Sequence, residues 1–295
     1  MKKTRGTTFT VCFAMLLILL VTPTVSHSET VTLANGLEMN YKSAGIGYIP
    51  IVFIHGYSLS LSTWDKIPKL LPARYRFYSI DLRGFGDSAA PKSGYTNSDM
   101  AKDIELFLDR LQIKKAIFVG HSMGGMILQH FAVKYPERVL GLIFSNTFAR
   151  CIPPKGMSEW VQKRMDGYGT KEENRAVFTQ VMPVYFDAEN LAPGDLEKFV
   201  EIGLKASNIA LKEMLKQIYV APPIPLAQYE KITMPTLIII GAHDKFADMA
   251  QAVPINDAIK GSKIFVISHS GHTPMWERPK DWAKEMVSFL DQYGL

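Results

Sequence analysis

Three side chains in this sequence have the types and the order that acyl transfer through a serine requires: Ser122, Asp244 and His272. A serine hydroxyl is a poor nucleophile at neutral pH. It needs a base within hydrogen-bond reach, and an acid that orients the base and stabilises its charged form. Ser122 is the centre of Gly120-His121-Ser122-Met123-Gly124-Gly125, a G-x-S-x-G pentapeptide extended by one glycine. The apolar run 116–119 precedes it and the helical run 126–132 follows. A tight strand-to-helix corner strains the central serine, and small residues two positions either side let the backbones pass.

The acid and the base come later in the chain, each just after an apolar run. Residues 236–240 end in Gly241-Ala242-His243-Asp244, and residues 263–267 end in Ser268-His269-Ser270-Gly271-His272. All three groups therefore fall beyond the carboxyl ends of strands, where α/β folds place their sites. His272 is favoured over His269 as the base because Gly271 and Thr273-Pro274 put it on a loop that can turn it inward. Asp244 is favoured over Asp248, which lies further into its loop. Ser145-Asn146-Thr147, after the preceding strand, offers no carboxylate. A tetrahedral intermediate also needs two donors for its oxyanion. The backbone N–H of Met123 supplies one, and the loop His55-Gly56-Tyr57-Ser58 supplies the other from Tyr57. His55 is read as a brace for that loop.

Residues 30–33 and 38–43 alternate around Asn35-Gly36, a strong hairpin cue. Apolar runs at 50–54, 77–80, 116–119, 140–144, 236–240 and 263–267 are separated by helical sequence. That alternation predicts a parallel sheet covered on both faces. A helical stretch carries Trp64 and Leu70-Leu71, a helix is expected over 98–111, and Trp282, Met286, Phe289 and Leu290 mark a closing amphipathic helix. From about 148 to 229 the strand pattern stops. Helical sequence rich in methionine and aromatics takes over, including Met157, Trp160, Met165, Tyr168, Phe178, Met182, Tyr185, Phe186 and Met214. It is read as an inserted cap whose large side chains mostly pack it on the core. Arg150, Arg164 and Arg175 lie in or near this cap and are read as solvated surface charge.

The chain has 295 residues, 47% of them hydrophobic, enough for a substantial core. Lys2, Lys3 and Arg5 precede the apolar run 9–21, followed by Thr22-Pro23 and small residues near Ser26 and Ser28. This is the layout of a signal peptide over residues 1–28, shorter than the roughly 20 apolar residues a spanning helix needs. A single domain over 29–295, secreted or periplasmic and without a lasting membrane span, is the expectation. Loss of residues 1–28 lowers the formal net charge from +5 to +2 and leaves no basic arm for nucleic acid. Cys12 leaves with the signal, so Cys151 has no partner for a disulfide and reads as a small buried hydrophobe. No residues follow metal-ligand spacing, and Gly84 and Gly86 do not open a helix in G-x-G-x-x-G form. Neither a metal nor another cofactor is expected.

Together His55-Gly56, Asp81-Leu82-Arg83-Gly84-Phe85-Gly86-Asp87-Ser88, Gly120 to Gly125, Asp244 and Gly271-His272 resemble the α/β-hydrolase superfamily in its capped, single-domain branch. The resemblance implies a mostly parallel central sheet with helices on both faces and an inserted helical cap over about 148–229. It also implies a cofactor-free serine hydrolase: Ser122 as nucleophile, His272 as base and then acid, Asp244 orienting it. Relatives with an aspartate nucleophile are excluded by Ser122. A small, largely apolar carboxylic ester or lactone is the leading substrate class. Carbon–carbon bond hydrolysis of ring-cleavage products, for which the resemblance implies a cap arginine (Arg150, Arg164 or Arg175) binding the substrate carboxylate, and cofactor-free perhydrolysis are the enzymatic alternatives, and a ligand-binding receptor on the same scaffold is the non-enzymatic one. The fold does not choose among them.

Overall fold

The computed structural model describes residues 28–149 and 157–295; residues 1–27, which hold nearly all of the expected signal peptide, and Arg150 and Cys151 lie outside them. The apolar runs form one eight-stranded sheet in the order β1-β2-β4-β3-β5-β6-β7-β8. Strands β1 (Ser28–Thr32) and β2 (Glu38–Ala44) pair antiparallel, and β2 also runs antiparallel to β4 (Tyr75–Ile80). The remaining strands, β3 (Ile49–Ile54), β5 (Ala116–His121), β6 (Val139–Ser145), β7 (Thr236–Gly241) and β8 (Lys263–Ile267), continue in parallel. Register places Gly120 of β5 between Ile54 of β3 and Phe144 of β6. The loops after those three strands thus open on one edge of the sheet.

The helices follow their local signals. Helix α1 (Asn97–Arg110) begins one residue before the expected position because Thr96 and Asp99 form a reciprocal capping box. Helix α2 (Met123–Lys134) follows β5, and between β6 and β7 the described residues form α3 (Met157–Asp166), α4 (Lys171–Val181), α5 (Asp195–Gly203) and α6 (Asn208–Tyr219). After β7 come α7 (Met249–Ala258), α8 (Pro274–Glu277) and α9 (Pro279–Gln292). Phe178, Met182, Phe199 and Met214 are fully buried, so much of the aromatic and methionine content of 148–229 is packing. Among the described residues no helix is long and apolar enough to cross a membrane.

The strand period of two separates the core into two faces. Ile54, Phe118 and Phe144 face one cluster with Met100 and Leu128, while Phe53, Val119 and Ile143 face the other with Trp64, Trp282 and Met286. Each fully buried side chain of this size contributes about 1.5–3 kcal/mol relative to exposure.

One expectation is corrected and two gain detail. The stretch bearing Trp64 and Leu70 is two short 3-10 turns, Leu61–Trp64 and Pro68–Leu70, because Pro68 cannot continue the hydrogen-bonding of the first. The expected hairpin forms around Asn35-Gly36, with Gly36 at φ +81°. Leu33 N–H donates to Leu37 O, and the Asn35 side chain accepts from Leu37 N–H and donates to Asp103 on α1. Finally, β8 is a sheet edge paired only with β7, and Phe265 and Val266 on it are exposed, so coverage on both faces fails there.

Candidate active site

Ser122 stands between β5 and α2 with φ +49° and ψ −116°. An L-residue held there stores roughly 1–3 kcal/mol of backbone strain, which the surroundings must impose. They do so with hydrogen bonds. Ser122 N–H donates to Ser145 O (2.9 Å), and Ser122 O accepts from Thr147 Oγ1 (2.7 Å) and Gly125 N–H (2.9 Å). Gly124 is required beside it, since a Cβ there would lie 2.6 Å from the carbonyl oxygens of Ile54 and His55.

His272 and Asp244 meet at the same edge. His272 Nδ1 donates to Asp244 Oδ2 at 2.8 Å, both residues being buried. The carboxylate also accepts from Asn146 Nδ2 at Oδ2 (2.7 Å) and from the N–H groups of Phe246 (2.7 Å) and Ala247 (3.0 Å) at Oδ1. Burial works to raise the Asp244 pKa, but the charge and hydrogen bond of His272 with the other donors hold it below its usual value. With Nδ1–H committed to Asp244, the other ring nitrogen of His272 is left as the basic one. Its ring lies among Tyr185 (5.4 Å between centroids), Phe246 (5.2 Å) and His121 (4.8 Å).

The Met123 amide opens α2 and has no helical partner of its own. Beside it lies the Tyr57 loop, braced as expected by His55. His55 Nδ1 donates to Gly56 O (2.8 Å) and Nε2 accepts from Leu82 N–H (3.0 Å), which fixes its tautomer. Burial lowers the His55 pKa, consistent with that neutral ring. The loop Asp81 to Ser88 that Leu82 belongs to is knotted by Asp81, whose carboxylate accepts from Leu61, Asp87 and Asn40. The Tyr57 hydroxyl reaches into the cap, donating to Leu211 O (2.9 Å) and contacting Tyr168 Oη (3.1 Å).

The residues set aside lie elsewhere. His269 is exposed near Glu189, and Asp248 caps α7 through Gln251 N–H. Arg175 pairs with Glu197 and Glu201 on the surface. Arg164 contradicts the solvated-charge reading. It is 6% exposed, its Nε donates to Tyr168 Oη (2.9 Å), and its guanidinium lies over the rings of Tyr57 (4.9 Å) and Trp160 (5.1 Å). A long flat cation covered by aromatic faces is shielded from water in a way that residue type alone does not reveal.

Three supporting residues were not anticipated from the sequence. Asn146, at φ +51° after β6, carries an amide to the acid. His121 Nε2 donates to His272 O (2.7 Å), and burial, then the neighbouring His272, keep its pKa well below the ordinary range. Gly56 leaves room for this ring, as a Cβ there would sit 2.5 Å from His121 Nδ1. Glu277 gathers Asp187 N–H (2.7 Å), Gly271 N–H (3.1 Å), Thr273 N–H (3.2 Å) and Thr273 Oγ1 (3.1 Å), clasping the histidine loop to the segment that leaves α4. The one signal in the sequence was position: Asn146 follows a central strand, as an acid does in some hydrolases.

Residues 49–177 match the family described as the alpha/beta hydrolase fold. Over 260 residues the chain is 30% identical to the AB hydrolase superfamily protein YisY of Bacillus subtilis (strain 168), covering 82% of this chain and 89% of that one. This chain belongs to the α/β-hydrolase superfamily. Within it, 3-oxoadipate enol-lactonase 2 of Acinetobacter baylyi is 27% identical over 281 residues, covering 92% of this chain and 99% of the relative. The solved enol-lactonase of Burkholderia xenovorans LB400 superposes with a TM-score of 0.80 at 26% identity, covering 89% of this chain and all of that one.

Proposed function

We propose that this α/β hydrolase cleaves a carboxylic ester or lactone through an acyl-enzyme formed on Ser122. One observation carries the reading: the strained Ser122 elbow shares its sheet edge with a buried histidine already oriented by an ionised aspartate. In the first step His272 takes the hydroxyl proton as Ser122 Oγ bonds to the carbonyl carbon, and the carbonyl oxygen becomes an oxyanion facing the Tyr57 and Met123 amides. His272 then gives that proton to the leaving alkoxide as its bond to carbon breaks. Water repeats the sequence on the acyl-serine, releasing acid and free Ser122. For a lactone, alcohol and acid leave as one molecule. The enol-lactonase relative, 27% identical over 92% of this chain, is compatible with the ester and lactone branch. The signal-like residues 1–28 support action outside the cytoplasm, in the periplasm or medium.

The test is hydrolysis of 4-nitrophenyl acetate and butyrate by wild type and Ser122→Ala. The reading expects the variant to lose nearly all turnover, and equal rates would overturn it.

A further inference from the structure

The cap segment 185–190 is hydrogen-bonded to the loop that carries His272. Tyr185 O accepts from His272 N–H (2.7 Å), and Asp187 N–H donates to Glu277 Oε2 (2.7 Å), the same carboxylate that gathers the Gly271 and Thr273 amides. Further along, Asn190 Nδ2 donates to His269 O. The approach is close enough to select a residue type. A Cβ on Gly271 would lie 2.8 Å from Asp187 N, Phe186 C and Tyr185 O. The φ of Gly271 is not in the left-handed region, so contact with the cap, and not its own backbone, calls for glycine there.

The loop of the acid joins the same contact through His243. This residue immediately precedes Asp244, its N–H donates to Ser270 O on the histidine loop (2.8 Å), and its Nδ1 donates to Asp187 Oδ2 (2.6 Å). Acid loop, base loop and cap therefore meet at one pair of side chains. Asp187 is held in direction as well, because its Oδ1 accepts from Glu189 N–H (3.2 Å) and caps the short turn Ala188–Asn190. Burial works to raise the Asp187 pKa, but the Glu189 amide and His243 hold it below the usual carboxylate value. The His243 side chain is half exposed, and an ion pair open to water on one side adds little to stability. Its placement matters more: a shift of roughly 1 Å in a catalytic group can lower a rate about 100-fold.

We propose that Asp187 and His243 are positioning residues for the reaction. The pair fastens the cap to the loop of Asp244 and so preserves the relative placement in which Asp244 and His272 share a hydrogen bond. Neither side chain acts on the substrate itself. The cap then serves the chemistry as well as the pocket. This rests on the serine-hydrolase reading above.

The experiment is steady-state kinetics on 4-nitrophenyl acetate and butyrate, well below the Tm of each protein. Wild type is compared with Asp187→Ala, Asp187→Asn, His243→Ala, His243→Gln and the double alanine variant. Asp187→Ala is expected to lower kcat roughly tenfold on both esters, with KM within about twofold of wild type, as loss of a hydrogen bond to a charged group allows. Asp187→Asn keeps an acceptor and His243→Gln keeps a donor, so each should recover most of the loss. The double alanine variant should be no slower than the slower single one, because the two side chains form one link. Arg175→Gln, on the cap surface, leaves kcat unchanged. Wild-type kcat in Asp187→Ala overturns the proposal, and so does a change confined to KM, which would mark a pocket residue. Losses that multiply in the double variant, or that Asp187→Asn does not relieve, overturn it too. If Asp187→Ala does not fold, His243→Ala, with its half-exposed side chain, carries the same comparison. Failure of the serine-hydrolase reading looks different: Ser122→Ala would then hydrolyse both esters at the wild-type rate.

Discussion

Asn146 and Asp244 come from loops after different strands, yet Asn146 Nδ2 donates at 2.7 Å to the same carboxylate oxygen that receives His272 at 2.8 Å. The amide and the imidazole thus share one oxygen of the acid. Its own support runs further back: Ser145 Oγ donates to Asn146 Oδ1, and Trp282 Nε1 donates to Ser145 Oγ. The order of the candidate groups is set by the sheet, and the aim of Asp244 by this chain of hydrogen bonds.

Asn146→Gly removes the amide while accommodating the left-handed backbone at this position. A hydrogen bond to a charged group contributes about 1.5–3 kcal/mol, so kcat/KM on 4-nitrophenyl butyrate should fall roughly 10- to 100-fold. Steady-state kinetics checks this, and an unchanged kcat/KM would show that Asp244 needs no help from β6.

Glu277 should matter to both stability and rate. In Glu277→Ala the N–H groups of Asp187, Gly271 and Thr273 lose their common acceptor. A loss of about 2–4 kcal/mol, or roughly 5–15 °C in Tm, is expected. Because Gly271 and Thr273 flank His272, kcat should fall in the same variant. Thermal melts and turnover together check the clasp, and wild-type values in both would contradict it.

Stability should decline as the solution is acidified below about pH 6.5. His55, His121 and His130 all have pKa values lowered by burial, that of His130 to about 4. Between the ordinary histidine pKa and these lowered values the unfolded chain binds protons that the folded chain refuses, so stability falls as pH falls, by up to about 1.4 kcal/mol per pH unit for each histidine. Asp244, lowered in the folded state, adds a further loss of the same sign below its ordinary carboxylate range. Melting curves from pH 7 to 4 measure the slope. His130→Gln should flatten it, and a parallel slope in that variant would show that His130 takes no part.

The legible part of this protein was what depends on period and order. Six apolar runs gave the parallel strands, Gly120 to Gly125 gave the elbow, and the positions of Asp244 and His272 after their strands gave the pair that the structure brings together. What was not legible depends on distance between elements. Asn146 looked inert because it is not an acid, and only the β6 to β7 pairing carries its amide to Asp244. Glu277 sits in a charged-looking stretch, and its role arises from the return of residues 185–187 beside the histidine loop. Arg164 was misjudged because residue type predicts exposure on average, whereas here Tyr57, Trp160 and Tyr168 arrive from separate segments to enclose it.

The measurement that tests the central claim most directly is covalent capture at the nucleophile. The protein is reacted with a fluorophosphonate ester, digested, and the labelled peptide sequenced by mass spectrometry. The account predicts one stoichiometric adduct on Ser122, with hydrolysis of 4-nitrophenyl butyrate lost in proportion to labelling. An adduct on another residue, or full activity after Ser122 is labelled, would contradict it.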